Sequence, residues 1–434
     1  MAATVTALTP AHRSWRAKVF ASTWLSYVGF YFCRKPFSAA KAAIAHETGW
    51  SATTLGNVWA AYLFAYAAGQ FVAGAMGTRL GPRKNVLLGM GVSIAVTLAM
   101  TGTLSVTAMA VLVALNGLAQ ATGWSGNVGT MASWFHKHER GRVMGAWANC
   151  FTVGALTSGW AMAAVLDHHA PGEPAPWRSC FTTGAAVLLC VWVFFWVFQR
   201  NDPESAGLSP IEDPDADEAG KAEEAPPRGG SLGLSRAAWT NLLLVAGFYF
   251  FAKFIRYAIW SWAAYFLQQN FGLTGARANV YATAFDLMGI PGIYLTGWLS
   301  DRFFKSRRAG VATLMMLAMT LATALMMTVG GTSVLVFSVL IGLVGFTLYG
   351  PDALLTGAGA IDIGSRRAAT LTAAVISGFG STGAIVQELV IARTYDASRG
   401  ELGPILGMLF GSAALATLFC AVLVMRDRRG KRGL

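Results

Sequence analysis

Residues 27–40 read YVGFYFCRKPFSAA, and residues 248–262 read FYFFAKFIRYAIWSW. Each is an apolar stretch with cations set inside it. In the first, Tyr27, Tyr31 and Arg34 are spaced i, i+4, i+7; in the second, Tyr249, Lys253 and Arg256 repeat the spacing. That interval places each trio on one face of a helix. A second matched pair of segments, GAMGTRLGPRK from Gly74 and GWLSDRFFKSRR from Gly297, is separated by the same interval as the two arginines to within one residue. Two agreeing intervals predict an internal duplication.

Composition sets the environment of both copies. Of 434 residues, 55% are hydrophobic and only 12% charged, and mean hydropathy is +0.50. A soluble chain carries about 25% charged residues to face water, so this one is read as embedded in lipid. The 49 glycines agree, since glycine is frequent in membrane helices. A spanning helix needs roughly 20 apolar residues. Runs of that kind lie near 17–40, 53–76, 85–104, 107–133, 141–165 and 178–199, then 237–266, 279–300, 308–329, 333–357, 368–391 and 403–425. Between the two sets of six, NDPESAGLSPIEDPDADEAGKAEEAPPRGG follows Arg200, rich in Pro, Gly and acids. It reads as a solvated linker. The expected fold is therefore an all-α membrane protein of twelve transmembrane helices in two pseudo-symmetric six-helix bundles. The bundles cover 1–200 and 236–434, joined by a cytoplasmic linker over 201–235. Duplicated halves with a substrate held near the midplane are the plan of secondary transporters.

Cation placement gives orientation. Arg13, Arg16 and Lys18 precede the first helix; Arg79, Arg83 and Lys84, then Lys137, Arg140 and Arg142, occupy later loops. Arg302, Lys305, Arg307 and Arg308, then Arg366 and Arg367, and the tail RDRRGKRGL continue the series. With twelve helices all fall on one side, and the opposite loops nearly lack them, which predicts cytoplasmic termini. The net charge of +12 thus sits in short clusters rather than one stripe, and a nucleic-acid partner is not expected. The opening MAATVTALTPAHRSWRAKVF lacks the parts of a secretory signal and reads as a polar lead. Cys33, Cys150, Cys180, Cys190 and Cys420 fall in or near apolar stretches without ligand spacing. They are read as packing residues, with no disulfide or zinc site. No nucleotide-binding loop, nucleophile elbow or metal-ligand helix occurs, so neither an enzyme, an ATP-driven pump nor a cofactor is expected.

A Lys or Arg near a helix centre costs about 2.5–3.5 kcal/mol on insertion scales. Arg34, Lys35, Lys253 and Arg256 either face a wet cavity or a bound anion, or snorkel to an interface. The symmetric placement of Arg34 and Arg256 favours an anion, because two guanidinium forks suit a phosphate-like dianion. Tyr27, Tyr31 and Tyr249 add hydroxyl donors or simply pack. Asp286, in YATAFDLMGIPG, admits three readings: counter-ion for Lys35 or Lys253, proton carrier, or hydrogen-bonded packing group. Asp352 is placed in the inner half of its helix and Glu388 at an interface. His136 and His138, among loop cations, are read as solvated, and His168 and His169 lie in an outer loop.

Five segments carry a resemblance: YFCRKPFS, NGLAQATGW, FIRYAIWSW, MGIPGIYLTGWLSDR and LYGPDALLTGAGA. They resemble the organophosphate:phosphate antiporters of the major facilitator superfamily. The likeness runs through nearly the whole chain and is weakest in the linker and the sixth, ninth and twelfth helices. The RK pair of the first helix and the arginine of FIR are its most specific elements. The resemblance implies that Arg34 and Arg256 grip the phosphate and that inorganic phosphate exchanges for an organophosphate across the cell inner membrane. Lys35, Lys253, Tyr27, Tyr31, Tyr249, Trp124 and Tyr349 are the other candidate contacts, and a monomer is expected. Relatives that carry glycerol-3-phosphate have a Tyr at Lys253, an Asp at Ser261 and a His near Phe151. With Ser261, Lys35 loses the acidic partner that the resemblance implies. Up to four cations then face one carboxylate, Asp286, which predicts a ligand with a second anionic group, such as a phosphoglycerate. Asp301 and Arg302 match the superfamily's loop motif, whose charge pairs latch the inward-closed state; Thr78 stands where the first half would have its acid. Asp286, Asp301, Arg302 and Ser261 are thus the coupling or gating candidates. Two rival functions are a proton-coupled organic-anion symporter and a non-transporting sensor of sugar phosphates, which the family also contains.

Overall fold

The computed structural model describes residues 8–135, 139, 143–144, 146–168, 176–211, 236–303, 308–355 and 359–428. Lys137, Arg140, Arg142, His136, His138, His169, Lys305, Arg307, most of the linker and the end of the tail lie outside the described residues, as do the side chains of Thr78, Asp301, Arg366 and Arg367.

Helices account for the regular structure of the described residues. The first half contains α1 (Pro10–Ala39), α2 (Lys41–Thr48), α3 (Ala52–Leu80), α4 (Pro82–Met100), α5 (Val106–Gln120), α6 (Thr122–Trp134), α7 (Asn149–Asp167) and α8 (Trp177–Phe198). The second contains α9 (Arg236–Phe271), α10 (Gly275–Ala282), α11 (Ala284–Arg302), α12 (Arg308–Val329), α13 (Val334–Ala353), α14 (Gly359–Ala397) and α15 (Gly403–Arg428). Each expected spanning run has its helix, the fourth built from α5 and α6 and the eighth from α10 and α11. The short α2 was not foreseen. Ten helices among the described residues are long and apolar enough to cross a membrane. The two expected spans outside that set are α1, which opens PAHRSWRAK and carries Arg34 and Lys35, and α11, which holds Asp286, Pro291, Asp301 and Arg302.

Contacts divide the chain into two units, Met1–Phe37 with Ala61–Pro226, and Ser38–Ala60 with Pro227–Leu434. In unit 1, Phe30 and Cys33 of α1 pack with Val86 and Met90 of α4 and with Leu188 and Phe195 of α8. Pro36, inside α1, has no N–H to donate, so the Phe32 carbonyl one turn back lacks its helical partner. A Cβ on Gly184 would stand 2.0 Å from that oxygen; only a residue without a side chain lets α8 come so close. In unit 2, α11 and α13 pack closely through Gly292 and Gly345, whose added Cβ atoms would each lie 2.0 Å from a carbonyl oxygen of the other helix.

The first bundle expected from the sequence covers 1–200, whereas unit 1 omits Ser38–Ala60. Contacts along its length hold that segment in unit 2. Asn279 Nδ2 donates to the Ala39 carbonyl at 3.0 Å. Asp396 accepts from the backbone N–H groups of Ala52 at 3.1 Å and Thr53 at 2.7 Å, a carboxylate satisfying orphan donors at the start of α3. Trp59 stacks on Trp260, ring centroids 6.2 Å apart.

Candidate functional site

In unit 1 the buried Arg34 guanidinium lies between aromatic faces. Its Cζ is 4.8 Å from the Tyr31 ring centroid, 5.1 Å from Tyr66 and 5.8 Å from Tyr62. Nε donates to Gln120 Oε1 at 2.9 Å, and the Tyr62 hydroxyl donates to the same oxygen at 2.8 Å. Nη2 is buried without a hydrogen-bond partner, and among the described residues no carboxylate forms an ion pair with Arg34. Lys35, the next residue, is buried at 5% exposure. One turn before Tyr31, Tyr27 packs edge-on against Trp124 with centroids 5.3 Å apart. Trp147 closes this aromatic group, 5.9 Å from Tyr27 and 5.3 Å from Trp124, while its Nε1 donates to Thr23 Oγ1 at 3.1 Å. Trp124 is the exposed member.

In unit 2 the corresponding arginine is already paired. Arg256 Nη1 donates to Asp352 Oδ2 at 2.7 Å, and its Cζ lies 4.4 Å from the Tyr349 ring centroid. Tyr349 in turn donates its hydroxyl proton to Asp286 Oδ1. Lys253 Nζ is 5.2 Å from the Tyr249 ring and 5.0 Å from the Tyr257 ring, the electrostatic environment that an ammonium prefers. Gly380 of α14 abuts this patch, since a Cβ there would meet Tyr249 and Lys253.

Two expectations change here. The count of four cations against Asp286 alone does not hold, because Asp352 offsets Arg256 directly. Ser261, where the resemblance implies an acid, accepts from Lys41 Nζ at 2.8 Å. Lys41 also donates to Glu388 Oε1 at 2.6 Å, and both side chains of this ion pair are fully buried. Glu388, read from sequence as interfacial, is therefore a core residue of unit 2. Arg302 is exposed at the end of α11, next to Asp301. All five cysteines are free, and only Cys190 is exposed.

Residues 19–387 match the model of the Major Facilitator Superfamily. The glycerol-3-phosphate transporter of Bacillus subtilis is 31% identical over 437 residues, covering 97% of this chain and 95% of its own length. This chain belongs to the organophosphate:phosphate antiporter family of that superfamily. A probable hexose phosphate transport protein of Chlamydia pneumoniae is 25% identical, covering 89% of this chain and 86% of its own. The membrane sensor protein UhpC of Escherichia coli is 24% identical, with 89% and 87% covered. Among solved structures, the D-xylose-proton symporter superposes with a TM-score of 0.72 at 13% identity, covering 93% of this chain and 97% of that one. Fold and family agree: this is a multi-pass membrane transporter of the major facilitator fold, not an enzyme.

Within this antiporter-family chain the structure brings Tyr31 and Arg34 together in unit 1, and Arg256, Tyr349 and Asp286 together in unit 2. Tyr27 and Trp124 form a neighbouring aromatic group rather than contacts of Arg34. Gln120, Tyr62 and Tyr66 were missed, as were Lys41 and Tyr257. Gln120 had one visible signal: it stands in NGLAQATGW, one of the segments that carry the family likeness. The others are ordinary polar or aromatic residues until the helices are packed.

Proposed function

We propose that this transporter takes up an organophosphate in exchange for inorganic phosphate by alternating access, with Arg34 and Arg256 as phosphate ligands. The observation that carries the reading is Arg34, a buried cation with an unpartnered Nη2 and no ion-pair carboxylate among the described residues. A buried charge without a counter-charge carries a penalty of several kcal/mol. A phosphate supplies both the opposite charge and acceptors in fork geometry. The activities of the relatives, carriage of glycerol-3-phosphate and of hexose phosphate, support the substrate class. We further propose that the chain works as a monomer in the inner membrane and, from the one-sided loop cations, that both termini are cytoplasmic.

Proteoliposomes preloaded with inorganic phosphate test this. Uptake of labelled glycerol-3-phosphate should require internal phosphate. Uptake that follows a pH gradient instead overturns exchange in favour of proton symport. Ligand binding without flux overturns it in favour of a sensor, a reading to which the match with UhpC gives weight.

Two further expectations follow from charge. Because Asp352 offsets Arg256, a single phosphate dianion satisfies the remaining cations, and a second anionic group brings no advantage. Glycerol-3-phosphate should compete for phosphate exchange at least as well as a phosphoglycerate; a phosphoglycerate better by about tenfold, 1.4 kcal/mol, would restore the more cationic pocket. Asp301→Asn should slow exchange while leaving phosphate affinity within about twofold. A latch residue biases the access states and not the ligand contacts. Loss of binding together with exchange would assign Asp301 a structural role.

A further inference from the structure

Resting on that reading, we infer that Gln120 is a positioning residue that orients the phosphate-binding guanidinium of Arg34 without discharging it. The amide is itself held in one orientation. Asn116 Nδ2 donates to the Cys33 backbone carbonyl at 2.9 Å, which turns Asn116 Oδ1 inward. That oxygen accepts from Ser93 Oγ at 2.6 Å and from Gln120 Nε2 at 3.1 Å. Gln120 Nε2 also reaches Ser93 Oγ at 3.3 Å. Asn116, Ser93 and Gln120 are all essentially inaccessible to solvent. A flipped Gln120 amide would oppose oxygen to oxygen at Asn116 and N–H to N–H at Arg34. Oε1 therefore faces Arg34 Nε and the Tyr62 hydroxyl, from both of which it accepts.

Guanidinium geometry turns this into a functional statement. Five N–H donors lie in one plane, and an oxyanion can meet either the Nε/Nη2 edge or the Nη1/Nη2 end. Gln120 occupies Nε, and Nη2 has no partner. The end of the fork is the edge left for a phosphate, and its direction is fixed through α4 and α5. The acceptor is also neutral. Arg256 shows the alternative, an aspartate at 2.7 Å that offsets the charge. An amide gives the same directional control while Arg34 keeps its full attraction for an anion, so the two arginines are inequivalent and Arg34 carries the greater share of phosphate affinity.

The test compares Gln120→Glu with Gln120→Leu for phosphate exchange in proteoliposomes. Glutamate is the near-isosteric change, so a role in packing alone makes it the milder variant. A positioning role reverses the order. Gln120→Leu loses one hydrogen bond to a charged group and should raise the phosphate KM about tenfold with kcat within about twofold. Gln120→Glu pairs Arg34 with a carboxylate and should raise KM by about a hundredfold or more. A Glu variant milder than the Leu variant overturns the inference. Should the Leu variant fail to give a monodisperse protein in detergent, the Glu variant decides alone, and a KM within about twofold of native overturns the inference. Native protein that exchanges no phosphate sinks the transport reading and this inference with it; native exchange with a mild Glu variant sinks only the role of Gln120.

Discussion

Arg34→Lys and Arg256→Lys are each expected to abolish phosphate exchange in proteoliposomes while the protein stays folded and monodisperse in detergent. Lysine preserves the charge and the length of the stem but replaces a planar fork with a point donor. At Arg34 the fork does two things at once. Nε is bound to Gln120, and the unpartnered Nη2 is available to the anion. One ammonium cannot hold the amide at 2.9 Å and present a directed pair of donors beyond it. Hydrogen bonds involving a charged group contribute about 1.5–3 kcal/mol each, so losing two corresponds to roughly 10²–10⁴ in phosphate affinity. At Arg256 the substitution also loosens the Asp352 pair, leaving a buried carboxylate less well satisfied. Normal exchange by either variant would remove that residue from the phosphate site.

What the sequence discloses, and what it hides, divides along a physical line. Span length and helical period are local properties, so runs such as 308–329 and 178–199 coincide with α12 and α8 to within a residue. The duplication is likewise visible, because Arg34 and Arg256 sit in matching apolar contexts. The partners of these arginines are not local. Asp352 lies 96 positions from Arg256 and Gln120 86 positions from Arg34, and nothing in either segment marks a carboxylate or an amide as the acceptor. That choice makes one arginine charge-compensated and leaves the other uncompensated. Glu388 fails for a related reason. Near the end of a predicted span a glutamate reads as interfacial, and only the packing of Ser38–Ala60 into unit 2 reveals that it is covered.

That covered pair yields the largest stability effect expected in the molecule. Lys41 and Glu388 have no solvent exposure, and their polar capacity is well matched. Nζ donates to Glu388 Oε1 at 2.6 Å and to Ser261 Oγ at 2.8 Å, and it stands 3.6 Å from the Trp262 ring centroid. Glu388 Oε2 accepts from Gln387 Nε2 at 3.0 Å. Desolvating two ions offsets most of their mutual attraction, so the intact pair adds little net stability, whereas removing one member strands the other charge at a cost of about 3–5 kcal/mol. Lys41→Met and Glu388→Leu should therefore each lower the thermal midpoint of the purified protein sharply. The double variant, with two apolar side chains in place of the ions, should recover most of the loss. The recovery distinguishes a stranded charge from lost packing, because independent packing defects would add. A double variant as unstable as the sum of the two single ones would mean that Lys41 and Glu388 are not a buried pair in the folded protein, and that the segment Ser38–Ala60 is held in unit 2 by Asn279, Asp396 and Trp260 without them.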